Sequence, residues 1–209
     1  VYSGDTDAAP YDSGSYASST TYLTGIAVAD ACQKLRESIQ KIGASMMECT
    51  VEEVGFDGKK VYRLETLEGA VNQVTLFDIA TKSMVNNNYE TQFTTAASTP
   101  VSPPPFMAGM AEVEVDKETG EVRLINYVAT VDCGTVVNTN LAKVQTEGGL
   151  AQGIGMALFE DITYGSHGQI RENSFMQYKI PTRMDVGRID VEFEESYEPT
   201  SPFGAKSIG

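Results

Sequence analysis

Two apolar, strand-like runs, Phe106 to Val115 and Val122 to Val131, flank the polar stretch Lys117-Glu118-Thr119-Gly120-Glu121. So short a gap permits only an antiparallel return, so the runs predict a β-hairpin and commit the second half of the chain to a sheet. The next segment has a different period. Leu141 to Phe159 is apolar at helical spacing and carries glycines at 148, 149, 153 and 155. Each glycine inside a helix costs about 1 kcal/mol relative to alanine. The sequence therefore predicts that something approaches that helix backbone closely. Ile189 to Phe193 alternates and reads as a further strand.

The first half is more helical. Residues 1–20 are rich in Ser, Thr, Gly, Asp and Tyr and read as a loop entering a helix. Val28, Ala31/Cys32, Leu35, Ile39 and Ile42 continue that helix, with Gly43 as its expected stop. Phe56-Asp57-Gly58-Lys59 signals a hairpin turn into the return strand Val61 to Leu64. Thr75 to Met84 reads as a short helix. Pro100 to Pro105 holds four prolines in six positions and reads as an extended linker. The expected fold is α+β, with mixed sheets and packed helices. Residues 1–209 are expected to form two lobes, about 1–99 and 106–209, joined at the proline segment.

The formal net charge is −14, from 15 basic and 29 acidic side chains. The densest basic run is Lys59-Lys60, so nucleic acid and anionic membranes are not expected partners. No apolar run approaches the ~20 residues of a membrane span. The start, Val1-Tyr2-Ser3-Gly4-Asp5-Thr6-Asp7, has neither the basic region nor the apolar core of a signal peptide, and no initiator Met. Cys32, Cys49 and Cys133 are widely spaced and odd in number, and His167 is the only histidine. That spacing argues against a zinc or iron–sulfur site in this chain and for a reducing, cytoplasmic compartment.

Three segments carry chemistry. Gly14-Ser15-Tyr16-Ala17-Ser18-Ser19-Thr20-Thr21 places hydroxyls and free N–H groups at a helix start, which suits an anion or, more simply, a cap. Gln145-Thr146-Glu147-Gly148-Gly149-Leu150-Ala151-Gln152-Gly153-Ile154-Gly155 lacks the third glycine and the preceding strand of a dinucleotide fingerprint. Close helix packing is its plainer reading. Pro202-Phe203-Gly204-Ala205-Lys206-Ser207-Ile208-Gly209 is a small-residue loop with one cation.

In this order, with Asp7, Pro10, Gly25, Ala31-Cys32, Val131-Asp132-Cys133-Gly134, Asn138, Glu160 and Tyr178-Lys179-Ile180-Pro181-Thr182, these segments resemble the xanthine dehydrogenase/aldehyde oxidase family. The resemblance covers essentially the whole chain, as the C-terminal part of the molybdopterin-binding region. It implies a molybdenum ion held by the dithiolene of a pterin, in bacteria often as the cytosine dinucleotide, with no protein ligand to the metal. It implies that Ser15, Tyr16, Ala17, Ser18 and Thr20 hydrogen-bond the pterin and its phosphate, and that Gln145 reaches pterin or phosphate. Lys206, Ser207, Ile208 and Gly209 would form the loop under the metal.

The reaction implied is hydroxylation of an N-heterocycle or aldehyde. Its general base is a glutamate expected directly after Gly209, so no catalytic residue is assigned within the chain. Both ends accordingly read as cuts inside a longer polypeptide. Iron–sulfur clusters and FAD are expected on other domains or subunits, and the preceding half of the same polypeptide and a homo-oligomer of the whole enzyme as partners. Glu147, Glu160 and Asp132 are expected to be structural.

Two departures from the family pattern stand out. Many relatives have Asn-Pro where this chain has Asn138-Thr139, expected to alter only a turn. Many have Arg where Ser19 or Thr20 stands, which leaves either charge or hydroxyl for a phosphate contact. A cofactor-docking or assembly module without catalysis is the competing class. Asp132-Cys133-Gly134-Thr135 also resembles the Asp-Thr/Ser-Gly of aspartic proteases, but that chemistry needs a second carboxylate and the chain has no second copy.

Overall fold

A computed structural model describes residues 5–7, 9, 11–12, 14–85, 89–98, 101–201 and 203–208. Expectations resting on residues 1–4, Pro10, Pro100, Pro202 and Gly209 lie outside them. The chain forms two compact units, Val1–Pro10 with Thr24–Ser98 and Tyr11–Leu23 with Thr99–Gly209. Tyr11–Leu23 thus goes with the later unit, whereas a division at the prolines places it with the earlier one.

Helix α1 runs Thr20–Met46. In the first unit its later turns are followed by the antiparallel strands β1 (Val54–Phe56), β2 (Lys60–Arg63) and β3 (Gln73–Thr75), in the order β1-β2-β3, and by α2 (Leu76–Met84). The β1–β2 hairpin turns where expected. The Asp57 carboxylate accepts the N–H groups of Lys59 and Lys60, both at 2.9 Å, and Gly58 takes φ +89°. Helix α2 starts with a capping box between Thr75 and Asp78. Ile42, Ala44, Met47, Val54, Val61, Val74 and Ile79 form the core.

Gly43 does not end α1. The stop comes at Glu48, in the left-handed region at φ +54°. Cys49 N–H donates to Ala44 O at 3.0 Å and Glu48 N–H to Ser45 O at 3.3 Å. Those two bonds form a Schellman motif, closed by the apolar contact of Cys49 with the core that holds Ala44. Gly43 has a packing role instead. A Cβ there would lie 2.7–2.9 Å from the Cβ and Cγ atoms of Val61, which is fully buried.

In the second unit, β4 (Phe106–Val115) and β5 (Val122–Asp132) form the expected hairpin, with a bulge at Glu112/Val113. Helix α3 (Thr139–Leu158) follows and returns to β6 (Arg188–Phe193), which pairs with β5 in parallel. The sheet order is β4-β5-β6, with β5 central. Leu124, Ile154 and Val186 pack between sheet and helix, joined by Ala151, Tyr127, Phe159 and Ile189. Asn138 caps α3 by accepting Leu141 N–H at 3.0 Å. Thr139 is therefore the first helical residue rather than part of a turn. The family's proline suits that position because its missing N–H has no helical partner there, so Thr replaces it without losing a bond.

The close approach expected at the α3 glycines occurs at Gly155, where a Cβ would meet the Glu160 carboxylate at 2.6 Å and the Pro181 ring at 3.0 Å. At Gly148, Gly149 and Gly153 no described atom comes within 4 Å of a Cβ. The Glu160 carboxylate accepts the Tyr178 hydroxyl at 2.6 Å. No helix among the described residues is long and apolar enough to cross a membrane.

These two kinds of glycine should respond oppositely to alanine. Gly148→Ala is expected to raise stability by up to about 1 kcal/mol, through helix propensity alone. Gly43→Ala is expected to lower it by about 1–3 kcal/mol, because the stiff Val61 side chain cannot yield. Urea unfolding midpoints of the chain check both signs.

Candidate functional site

The polar site of the second unit is a cleft of about 360 Å³. Ser15, Ser18, Thr20 and Thr21 form one wall; Asn138, Leu141, Ala142 and Gln145 form a second; Cys133, Thr135, Val136 and Val137 with Ala205, Lys206 and Ile208 complete it. The α3 wall follows helical spacing, so one face of the first two turns supplies it. The first wall is built by a tight reversal. Ala17 and Ser18 both sit in the left-handed region, at φ +50° and +52°. Such residues carry backbone strain of the order of 1 kcal/mol each, held by their surroundings.

Three contacts hold that wall. Thr20 donates its hydroxyl to Ser15 Oγ. Gln145 Nε2 donates to Ser18 Oγ at 2.7 Å. Tyr22, only 2% exposed, meets the Thr200 hydroxyl at 2.8 Å and anchors the first turn of α1. The Gln145–Ser18 bond ties the start of α1 to α3 across 127 positions of sequence.

The third wall is locked by charge and by glycine. Lys206 Nζ lies 2.7 Å from Asp132 Oδ2, and 5.6 Å from the centroid of the Phe106 ring. Asp132 Oδ1 accepts Ser196 Oγ at 2.7 Å and Gly134 N–H at 2.9 Å. These contacts, the Lys206 bond first, hold its carboxyl far below the ordinary 3.8, at about 2, against the opposing effect of burial. Asp132 thus stays ionised and paired, which is the reverse of a protease carboxylate sharing a proton. Burial pushes the Cys133 thiol up, so it lines the cleft as a neutral group. Cys32, Cys49 and Cys133 are all free.

The expected site residues divide. Ser15, Ser18, Thr20, Gln145, Lys206 and Ile208 line this one cleft. Tyr16 and Ala17 are exposed beside it, and Ser207 is buried at 8% exposure outside its lining. Gly209 lies outside the described residues. Thr21, Cys133, Asn138, Leu141, Ala142, Ala205 and the stretch 135–137 were not expected as site residues. Asn138 and Leu141 precede Gln145 by seven and four positions on a helix, a spacing that could have flagged them. Among the described residues, no three His, Cys, Asp or Glu cluster to hold a metal ion.

Although the chain has 29 acidic residues, no carboxylate is among those lining the cleft. Its one charged side chain, Lys206, is already paired with Asp132. Beside apolar Val136, Val137, Leu141, Ala142, Ala205 and Ile208, it presents hydroxyls, amides and the first turns of two helices. That donor set fits a group with a phosphate and a hydrogen-bonding ring. A larger cavity, about 550 Å³, lies across β4, β5 and α3 and shares only Ile208 with the cleft. Its lining is almost wholly apolar, so it lacks the groups that would hold such a ligand.

The chain belongs to the molybdopterin cofactor-binding domain family, whose pattern matches residues 1–187. It is 37% identical, over its whole length, to the probable hypoxanthine oxidase XdhD of Escherichia coli and spans 21% of that protein. It is 28% identical, again over its whole length, to the carbon monoxide dehydrogenase large chain of Hydrogenophaga pseudoflava and spans 26% of it. Reconstituted CO dehydrogenase from Oligotropha carboxidovorans superposes with a TM-score of 0.77 at 28% identity, covering 98% of this chain and 26% of that one. The chain thus spans about a quarter of the length of the relatives it matches. The family found is the one its motifs resemble.

The Asp132 contacts set a pH dependence. Because its folded pKa lies below the ordinary value, ionised Asp132 favours the folded state above about pH 4, and that contribution fades as pH falls towards 2. A lowering from 3.8 to about 2 corresponds to about 2 kcal/mol, or about 1–2 kcal/mol after solvent screening. Asp132→Asn is expected to lose that much in urea unfolding at pH 7. The difference should shrink steadily below pH 4 and be largely gone once the pH has fallen through about 2.

Proposed function

We propose that the chain forms one wall of the molybdopterin site in a molybdenum hydroxylase of the xanthine dehydrogenase type. The observation that carries this reading is the cleft at the starts of α1 and α3, whose lining among the described residues offers hydroxyls and amides on an apolar frame and no carboxylate. Ser15, Ser18 and Thr20 would hold the phosphate and pterin by hydroxyl, with Tyr16 and Ala17 contributing backbone. Gln145, already poised on Ser18, would donate to the pterin or its phosphate. Lys206, Ser207, Ile208 and Gly209 would form the loop beneath the metal. Lys206 would do so by backbone, since its ammonium is engaged. At Thr20, one of the two positions where the family pattern carries Arg, the contact would be by hydroxyl.

When bound, the group would supply a Lewis-acidic molybdenum that activates water and accepts two electrons. The chain's own residues would bind and orient it. The general base is proposed to be a glutamate directly after Gly209. The cytosine dinucleotide form of the cofactor, iron–sulfur and FAD domains or subunits, the preceding half of the polypeptide, and a homo-oligomeric enzyme belong to the same reading. So does the division into two lobes at the prolines. A cytoplasmic setting is supported by three free cysteines. The name of the 37% identical relative supports a purine such as hypoxanthine as the first substrate to try.

In the full-length protein, Gln145→Ala should lower molybdenum and pterin content. The lost amide contact is worth about 0.5–1.5 kcal/mol, roughly a two- to twelvefold weaker hold. Metal analysis and pterin fluorescence at matched expression check it; unchanged content would leave Gln145 a solvent-facing helix residue without a cofactor contact. The residue after Gly209 should be Glu, and its replacement by Gln should cost about 10²–10⁴-fold in turnover at near-normal molybdenum content. Sequencing the next codon is the first check, and a residue other than Glu or Asp would count against the hydroxylase reading.

A further inference from the structure

The loop 204–208 is laid against the end of β5 with little room to move. Lys206 N–H donates to Cys133 O at 2.7 Å and Thr135 N–H to Gly204 O at 2.7 Å. Gly134 and Gly204 both have positive φ, +72° and +71°. A Cβ on Gly134 would sit 2.8 Å from Lys206 N, and one on Gly204 2.5 Å from Thr135 Oγ1. These glycines allow the two backbones to touch, but they supply no side chains to hold the loop there. After Lys206, Ser207 is buried and Ile208 packs on Val131, Cys133 and Val191.

The missing grip comes from Asp132 and Lys206. Asp132 is the last residue of β5 and pairs with Phe106 across the hairpin. Its position is therefore set by the sheet. All three of its partners, Lys206, Ser196 and Gly134, come from the segments that follow the strands. The Lys206 side chain is only 12% exposed and spans from the loop to this fixed carboxylate, with the Phe106 ring beside its ammonium. A lysine so enclosed cannot release the carboxylate without leaving both charges poorly solvated.

We propose that the Asp132–Lys206 ion pair is a positioning pair that holds the loop 204–208, and with it Ile208, in place at the edge of the cleft. It touches no reacting atom; it acts by fixing where the loop stands against β5. The inference rests on the function proposed above, because only there does the chain beyond Ile208 carry the base.

The test uses the full-length protein with Lys206→Met, Asp132→Asn and Lys206→Arg. Hydrogen exchange is read on the peptide covering residues 203–208, together with molybdenum content. Turnover per bound molybdenum is read with the best of hypoxanthine, nicotinate and benzaldehyde. Lys206→Met and Asp132→Asn should each speed exchange of the loop by about tenfold or more, as a local opening. They should lower kcat per molybdenum on the order of 10- to 100-fold, as a misplaced group does, with KM little changed. Lys206→Arg should recover most of both. Asp132→Asn, nearly isosteric, keeps the test open if Lys206→Met fails to fold. Loop exchange at the parent rate in both variants would overturn the pair's role. So would faster exchange with unchanged kcat per molybdenum, which would leave only a structural tie. A parent protein without molybdenum would instead sink the proposed function, and loop exchange would then decide the pair by itself.

Discussion

Strand β5 is bonded along both edges, antiparallel to β4 and parallel to β6, and the cleft depends on that double pairing. A parallel neighbour requires a crossover, which here is α3. In such a crossover the helix begins where the first strand ends, so the start of α3 lies beside the carboxyl end of β5. The return through β6 delivers 194–208 to the same end. Two of the three walls of the cleft are therefore consequences of one β–helix–β connection, and open α/β units place ligands at strand carboxyl ends for this reason. The remaining wall, Ser15 to Thr21, is sewn on by single contacts, Gln145 to Ser18 and Tyr22 to Thr200.

The electrostatics follow from the same layout. A chain of net charge −14 repels anions at a distance, so an anionic ligand needs local compensation. A free lysine in the cleft would be the simplest device, but Lys206 is neutralised by Asp132 at 2.7 Å. What remains are hydroxyls, amides and helix starts. Each helix start contributes about 0.3–1 kcal/mol towards an anion, and each hydrogen bond to a charged group about 1.5–3 kcal/mol. Several such contacts exceed what one screened surface lysine provides, and they also impose geometry. For a ligand that joins a phosphate to a flat heteroaromatic ring, directional donors discriminate better than a point charge.

What the sequence revealed was mostly local. The β4–β5 hairpin was legible because its turn signal and its strands are contiguous. Helix α3 was legible from spacing, and the α1 start from its cluster of hydroxyls. Gly43 was misread because a helical glycine has two meanings, stop and close packing, and only Val61, distant in sequence, decides between them. The strand β3 went unnoticed, since three residues are too few to show alternation. The parallel pairing of β5 with β6 was not visible either, because no turn connects the two strands and register is set across the whole crossover. The site shows the same contrast. Ser15, Ser18, Thr20 and Gln145 came from a family resemblance, and their meeting in one cleft depends on contacts spanning over a hundred positions. Asp132 and Lys206 each stood out within a motif, but their pairing, across 74 positions, had no local signal.

Helix α3 shows why such non-local contacts matter. Its four glycines cost about 4 kcal/mol against alanine, and the segment would not hold a helix in isolation. Three of the four, Gly148, Gly149 and Gly153, receive nothing within 4 Å from the described residues in return. The helix is held by its Asn138 cap, by Ile154 and Ala151 packed on the sheet, and by Gly155 set against Glu160 and Pro181. Those anchors lie before, within and after the glycine stretch, and Leu150 adds a further contact with Val131, Cys133 and Val191. The stretch is thereby kept helical, and Gln145 projects from a backbone whose position is fixed by contacts before and after it. The cleft therefore inherits its geometry from the helix cap and from packing on the sheet rather than from any helical preference of the residues that line it.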